Sequence, residues 1–171
     1  FDGSPPGKIE IRGPDALTFL DRFYINDLTT LTPHRARYGL MLRESGVVWD
    51  DGTVVMRAPD RLWVTTTSGN AGRVAQWLEE WRQCEWPRLR VAVVPVTEQW
   101  ATITLAGPNA RAILAKLPAD IDLSAQAFPH MAMREGQLMG GPVRVCRVSY
   151  TGELSYEIHV ASGKAPVLWE A

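Results

Sequence analysis

Two neighbouring carboxylates, Asp50 and Asp51, are the side chains of this sequence best placed for acid–base or electrostatic chemistry. Strand-forming apolar residues precede them, and Val54 and Val55 follow. Because adjacent residues of a strand point to opposite faces of a sheet, we expect one carboxylate to face solvent and the other the covered side. A carboxylate among apolar groups is disfavoured as an anion without hydrogen-bond donors. The pair is therefore either a functional site or a solvated Asp-Asp-Gly turn at a strand end.

A third carboxylate, Glu157, lies in a segment of strictly alternating character at residues 153–161. One face of the predicted strand is apolar, and the other carries Ser155, Glu157 and His159. Glu157 is thus expected in mid-strand, where it either belongs to the solvated face of a half-buried strand or contacts a ligand.

Other residue types with catalytic or ligand-binding potential show weaker patterns. Cys84 and Cys146 have no metal-ligand spacing, so no metal site is predicted. Trp49, directly before the aspartates, is suited to pack a flat aromatic ligand. No dinucleotide fingerprint or phosphate-binding loop occurs, so FAD and NAD are not expected to bind this chain. The histidines are scattered and are predicted to be structural or solvated: His34, His130 and His159.

The composition favours a globular protein, with 46% apolar and 22% charged residues. A net charge of −1 gives no basic surface for nucleic acid or an anionic membrane, and no apolar run is long enough to span a bilayer. No signal-peptide pattern is visible, which predicts a cytoplasmic location. The chain lacks an initiator Met and stops inside an apolar periodic run, so we interpret it as a fragment of a longer protein.

The sequence repeats itself at an offset of 94 residues. IEIRGPDA at residues 9–16 recurs as ITLAGPNA at residues 103–110, and Ser-Gly at 68–69 recurs at 162–163. This duplication predicts an α+β fold of two split-βαβ (ferredoxin-like) halves with antiparallel sheets flanked by helices. Residues 8–98 would carry the Asp51 site, and residues 99–171, truncated at the C-terminus, would carry Glu157. Packing of the halves about a pseudo-twofold axis would bring both carboxylates to one pocket.

Turn and cap residues predict where several elements begin and end. Residues 43–46 form the turn of a hairpin that leads to Asp50. Residues 68–70 suit the cap of a helix that runs from 71 to 86. Gly140 and Gly141 are predicted to form a tight turn between two strands in the second half.

Three segments together, at residues 8–31, 36–55 and 148–160, resemble the folate-binding aminomethyltransferase family, which includes the glycine-cleavage T-protein. Within that family the chain is most similar to the carboxyl-terminal region of the α subunit of heterotetrameric sarcosine oxidase, and the resemblance covers residues 7–171. It implies that Asp51 is the essential catalytic aspartate and that Glu157 binds the pterin. It further implies that Tyr38 and Tyr150 stack on or cap the folate ring, where Trp49 is our own candidate for an additional contact.

The resemblance implies tetrahydrofolate chemistry. A flavin elsewhere in such enzymes oxidises a methylamine, and the folate domain captures the imine or formaldehyde as 5,10-methylenetetrahydrofolate. The implied partners are folate and the other domains and subunits of the oxidase. Two alternatives are a folate-binding module without turnover and a scaffold that serves only subunit assembly.

The chain also departs from the family pattern. Gly52 stands where T-proteins have Leu or Ile, and a branch linked to iron–sulfur maintenance is disfavoured because residues 146–153 lack its motif. An Arg-Asp motif that contacts pterin or substrate in T-proteins, and their small third domain, would lie beyond Ala171.

Residues 1–171 alone are therefore expected to bind tetrahydrofolate weakly. Loss of one charge-assisted contact costs about 1.5–3 kcal/mol, or one to two orders of magnitude in affinity. The slightly acidic chain offers no long-range attraction to the anionic tail of folate. Calorimetry should give a dissociation constant of about 0.1 mM. A low-micromolar value would contradict this expectation.

Overall fold

The structure is a computed structural model that describes residues 1–171, and it divides into two compact units. The first unit comprises Pro5–Thr97, and the second comprises Phe1–Ser4 with Glu98–Ala171. No helix in either unit has the length and apolar character needed to cross a membrane.

The first unit is a five-stranded antiparallel sheet with two helices. Its strand order is β2-β3-β4-β1-β5, and every neighbouring pair is antiparallel. In chain order the elements are β1 (Gly7–Arg12), α1 (Ala16–Leu20), β2 (Ala36–Leu42), β3 (Val48–Ala58), β4 (Arg61–Thr66), α2 (Ala71–Cys84) and β5 (Ala92–Pro95).

A cluster of aromatic side chains packs between the helices and the sheet of the first unit. In α2 the apolar side chains recur every three or four residues, which places Val74, Trp77 and Leu78 on one buried face. Phe23, which follows α1, meets Trp77 edge to face with ring centroids 4.9 Å apart. It also meets Trp86 at 5.4 Å. These contacts cover one face of the sheet.

The second unit is a four-stranded antiparallel sheet in the order β6-β9-β8-β7. Its own core is built around Phe128 and Tyr156, both fully buried, with helix residues Ala110 and Leu114. Its elements are β6 (Trp100–Ala106), α3 (Ala110–Leu114), β7 (Ala132–Leu138), β8 (Gly141–Arg147), β9 (Ser155–Ala161) and α4 (Ala165–Glu170).

The units share one topology, as the internal repeat predicts. The order β1-β4-β3-β2 in the first sheet corresponds to β6-β9-β8-β7 in the second. Helices α1 and α3 lie at the predicted offset, as do the 3-10 turns Ser68–Asn70 and Ser162–Lys164. The α+β class with antiparallel sheets and flanking helices is thereby confirmed. The split βαβ unit of the first half is β4-α2-β5: β4 and β5 are parallel to each other and lie on either side of β1. Helix α1 instead connects β1 and β2, which run in opposite directions.

The hairpin of the second sheet turns one residue earlier than predicted. Met139 and Gly140 have φ values of 53° and 73°, which a tight two-residue turn requires at both central positions. Gly141 instead begins β8 and pairs with Leu138. The turn therefore places Met139 in a left-handed conformation, which residues with a side chain rarely adopt. The prediction chose Gly140 and Gly141 because glycine is the usual residue in this conformation.

Asp50 and Asp51 lie inside β3, an eleven-residue strand, and do not form a turn. Gly52, the next residue of β3, lies very close to the backbone of Thr65 on β4. A Cβ atom at position 52 would lie 1.9 Å from the carbonyl oxygen of Thr65. The close approach leaves no room for a side chain at position 52.

Gly52→Ala is expected to lower the free energy of unfolding by about 2–3 kcal/mol, because the added methyl group forces two strand backbones apart. Urea denaturation of the variant and the parent measures the difference. Gly69→Ala is the matched control, since a Cβ there meets no atom within 4 Å, and it should change stability little. Equal stability of the Gly52→Ala variant and the parent would contradict the close approach.

Candidate functional site

The first candidate site is a tyrosine–aspartate pair on the edge of the first sheet. Asp51 lies on the face opposite the core residues Val54 and Met56, and it is half-buried. The hydroxyl of Tyr38, on the adjacent strand β2, donates a hydrogen bond of 2.7 Å to Oδ2 of Asp51. Tyr38 is 52% exposed. A charge-assisted hydrogen bond therefore orients a carboxylate that ligands can reach.

Asp50 points to the other face and is buried, with 3% of its surface exposed. The Thr67 hydroxyl donates to its Oδ1 at 2.6 Å, and the Thr67 backbone N–H donates to Oδ2 at 3.2 Å. The Asn70 amide donates to Oδ1 at 3.3 Å. The prediction that one aspartate faces the covered side and the other the accessible side is confirmed. The hydrogen bonds from Thr67 and Asn70 compensate for the burial of the Asp50 carboxylate.

Asn70 does not cap α2 with its side chain, contrary to the prediction from the sequence. Its amide also donates to the Trp49 carbonyl at 3.0 Å, so it bridges the start of the helix to β3. Close to the first residue of α2, the Asp50 carboxylate accepts a hydrogen bond from the backbone N–H of Thr67. These contacts were not predictable from local sequence patterns, because Thr67 and Asn70 are distant from Asp50 in the chain.

Trp49 is packed against the helix side of the first unit. The register between β2 and β3 shifts where Met41 faces Asp50 and Leu42 faces Val48, so Trp49 is the extra residue of a bulge. Its ring lies 6.1 Å from that of Trp77 between centroids, and the guanidinium carbon of Arg43 lies 3.4 Å from its centroid. These contacts give Trp49 a packing role, and its contact with folate stays a prediction.

Tyr24 is a neighbour of the aspartates that sequence reasoning missed. Its hydroxyl is buried without a hydrogen-bond partner, and burial raises the pKa of the phenol well above its ordinary value. The negative charges of Asp50 and Asp51 raise it further. The phenol is therefore neutral at physiological pH. It belongs to an apolar stretch after α1, where no sequence pattern distinguishes a tyrosine of this kind from a core residue.

The second candidate site is Glu157, in the middle of β9 as predicted. It pairs with Thr104 on β6 and with Cys146 on β8, and its side chain is 33% exposed. Tyr156 and Ile158 point into the core on the opposite face. Burial raises the pKa of the Cys146 thiol, and the charge of Glu157 raises it further, so the thiol is neutral. Glu157 thus presents an accessible carboxylate on a rigid strand.

The remaining predicted contact, Tyr150, lies between β8 and β9 and is fully exposed. Stacking of Tyr150 on a ligand stays a prediction, as does the meeting of Asp51 and Glu157 in one pocket, since they belong to different units. No group of three or more His, Cys, Asp or Glu side chains is arranged to hold a metal ion.

Comparison with known proteins adds independent information. A family model described as "GCVT N-terminal domain" matches residues 1–171. The chain is 45% identical to the sarcosine oxidase subunit alpha of Corynebacterium sp. (strain P-1), over 99% of this chain and 18% of that protein. It is 32% identical to the aminomethyltransferase of Bacillus subtilis (strain 168), over 99% of this chain and 45% of that protein.

Among solved structures, the aminomethyltransferase T of the glycine cleavage system from Bartonella henselae matches with a TM-score of 0.84 and 28% identity. The match covers 99% of this chain and 44% of that one. The chain thus spans less than half the length of the relatives to which it is similar.

Asp50→Ala is expected to lower the free energy of unfolding by about 3 kcal/mol, because it leaves the Thr67 and Asn70 donors without their buried acceptor. Asp51→Ala, the matched control on the next residue, should change it by less than about 1 kcal/mol, since its carboxylate is partly solvated. Urea denaturation of both variants tests the difference. A larger loss for Asp51→Ala would show that these roles are assigned the wrong way round.

Proposed function

Because the chain belongs to the GCVT N-terminal domain family, we propose that it is the tetrahydrofolate-binding, one-carbon-transfer domain of a sarcosine oxidase-like α subunit. In this role it captures the imine or formaldehyde from amine oxidation as 5,10-methylenetetrahydrofolate. The observation that carries the proposal is the accessible Asp51 carboxylate, which Tyr38 orients on a rigid strand. In this proposal a flavin oxidises the amine, and FAD and NAD are expected only in parts of the enzyme outside this chain.

Asp51 is the catalytic residue in this proposal. The attacking nitrogen of the folate must be unprotonated, and positive charge develops on the one-carbon unit as it is transferred. A carboxylate held beside that nitrogen can accept its proton and stabilise the developing positive charge. Tyr38 limits the rotation of Asp51, so the carboxylate is already oriented when the substrate binds.

Glu157 is the pterin-binding residue in this proposal. A pterin edge presents a ring N–H beside an exocyclic amine, and a carboxylate presents two acceptor oxygens at a matching separation. The partial exposure of Glu157 leaves its oxygens within reach of such a ligand. Asp51 lies in the first unit and Glu157 in the second, so the two proposed roles belong to different sheets.

Two exposed aromatic side chains also suit the flat pterin ring of folate. Tyr38 and Tyr150 are exposed aromatic side chains that could cover a flat ring without loss of core packing. The proposed partners are folate and the other domains and subunits of a cytoplasmic oxidase, which is consistent with the name of the Corynebacterium relative as a subunit.

A second candidate function is non-catalytic: the same fold could bind folate without turnover or serve subunit assembly. The oriented carboxylate at Asp51 favours catalysis, because a module that only binds pterin needs the acceptor pair of Glu157 and has no use for a second carboxylate held by hydrogen bonding. The two functions differ in what the loss of Asp51 does.

Asp51→Asn in the full-length protein is expected to leave the dissociation constant for tetrahydrofolate within about 3-fold and to lower 5,10-methylenetetrahydrofolate formation by about 10²–10³-fold. The reason is that the amide keeps the size and the Tyr38 contact but cannot take a proton. Glu157→Gln should instead weaken binding about 10-fold or more, since one acceptor becomes a donor.

Calorimetry and a product assay measure these effects, and Glu44→Gln, an exposed carboxylate of the β2–β3 turn, is the control that should change neither. If product formation in the Asp51→Asn variant equals that of the parent, Asp51 is not catalytic. If the parent shows no saturable folate binding, both folate functions are wrong and the assembly function is the remaining candidate.

A further inference from the structure

A buried histidine stands beside the carboxylate that we assign to pterin binding. His159 follows Glu157 by two residues on β9, and alternate residues of a strand share a face. The side chain of His159 is 2% exposed, compared with 33% for Glu157. A buried imidazole is stable only where hydrogen-bond partners replace water. The partners of His159 therefore determine how its ring is oriented.

Thr102 on β6 holds one end of that ring. The two residues are paired across the strands, and Oγ1 of Thr102 lies 2.8 Å from Nδ1 of His159. The backbone of Thr102 is itself anchored: its N–H donates to Oγ of Ser4 at 2.9 Å, and its carbonyl accepts from the N–H of Gly3 at 2.8 Å. The hydroxyl therefore has little freedom, and the ring that it contacts is held in one orientation.

The other end of the ring faces Glu157. Nε2 of His159 lies 3.7 Å from Oε2 of Glu157. This distance exceeds that of a hydrogen bond, and a shift of roughly 0.7 Å would bring the two atoms within bonding distance. Distances of this kind tighten in functional sites when a ligand fixes the carboxylate from its other side.

Two residues of β8 also lie on this face, each paired with a residue of β9. Arg144, which pairs with His159 from β8, lies with its guanidinium carbon 3.9 Å from the centroid of the Trp100 ring and with Nε 3.8 Å from Oε1 of Glu135 on β7. Cys146, which pairs with Glu157, carries a neutral thiol. On the same strand as Glu157, His159 has a ring nitrogen 3.7 Å from the carboxylate.

We propose that Thr102 and His159 position Glu157 for ligand binding. The Thr102 hydroxyl donates to Nδ1, which leaves the proton of the neutral ring on Nε2, and this N–H holds one oxygen of the Glu157 carboxylate. The carboxylate then presents its oxygens to a paired donor edge without first losing rotational freedom. His159 is a positioning residue and does not contact the ligand. This inference rests on the proposed pterin-binding role of Glu157.

The test is calorimetric titration of the full-length protein with tetrahydrofolate. His159→Leu, which removes both nitrogens, should raise the dissociation constant about 5- to 10-fold. His159→Gln, whose amide N–H reaches about as far as Nε2, should recover binding to within about 2-fold of the parent. Thr102→Val, which removes only the hydroxyl, should fall between them. Thermal unfolding of each variant shows whether it is folded.

A double-mutant cycle separates positioning from general damage. In a Glu157→Ala background, His159→Leu should change the dissociation constant by less than about 2-fold, because there is no carboxylate left to orient. Full additivity of the two substitutions would overturn the inference, since a purely structural histidine acts regardless of Glu157. If His159→Leu does not fold, the same cycle with Thr102→Val decides the matter.

The outcomes also separate this inference from the proposed function. If Glu157→Ala weakens binding and neither His159→Leu nor Thr102→Val does, the positioning role is wrong and the pterin role of Glu157 stands. If Glu157→Ala leaves binding unchanged, the pterin role is wrong, and the inference that rests on it is overturned as well.

Discussion

The hydrogen bonds to the buried carboxylate of Asp50 are the interaction on which the first candidate site depends. Thr67 and Asn70, at the entrance of α2, hold Asp50 on the covered face of β3. Because successive strand residues point to opposite faces, this arrangement leaves Asp51 on the accessible face. One aspartate is thus structural and the other is available for chemistry. Loss of the Asp50 contacts would free the strand that presents Asp51.

The duplication repeats the scaffold without repeating the chemistry. Glu157 and Thr104 pair across β9 and β6, and the residues 94 positions earlier, Trp63 and Glu10, pair across β4 and β1. Trp63 is fully buried, so the first unit has no accessible carboxylate at the position of Glu157. The candidate site of the first unit lies on β2 and β3, and that of the second lies on β9. A duplicated sheet therefore supplies two rigid supports that hold different functional groups.

Local periodicity explains which features were predictable from the sequence. The antiparallel α+β class, the repeat, the opposite facing of Asp50 and Asp51 and the mid-strand position of Glu157 all follow from patterns within a few residues or from direct self-comparison. The errors also have local causes. The turn at Met139 was misplaced because glycine is the usual residue for a left-handed conformation, and Asn70 was expected to cap a helix because its side chain commonly does.

The sequence by itself determined which residue types lie on which face of each strand, because the period of a strand is two and needs no partner. The tertiary structure decided which side chains meet. The Tyr38–Asp51 bond joins residues 13 apart, and the Thr102–His159 contact joins residues 57 apart. The bulge that turns Trp49 toward α2 and the close approach of Thr65 to Gly52 also result from the pairing of separate strands. Register and bulges depend on how strands pair across a sheet, and pairing between distant segments is not encoded in the alternation of either strand.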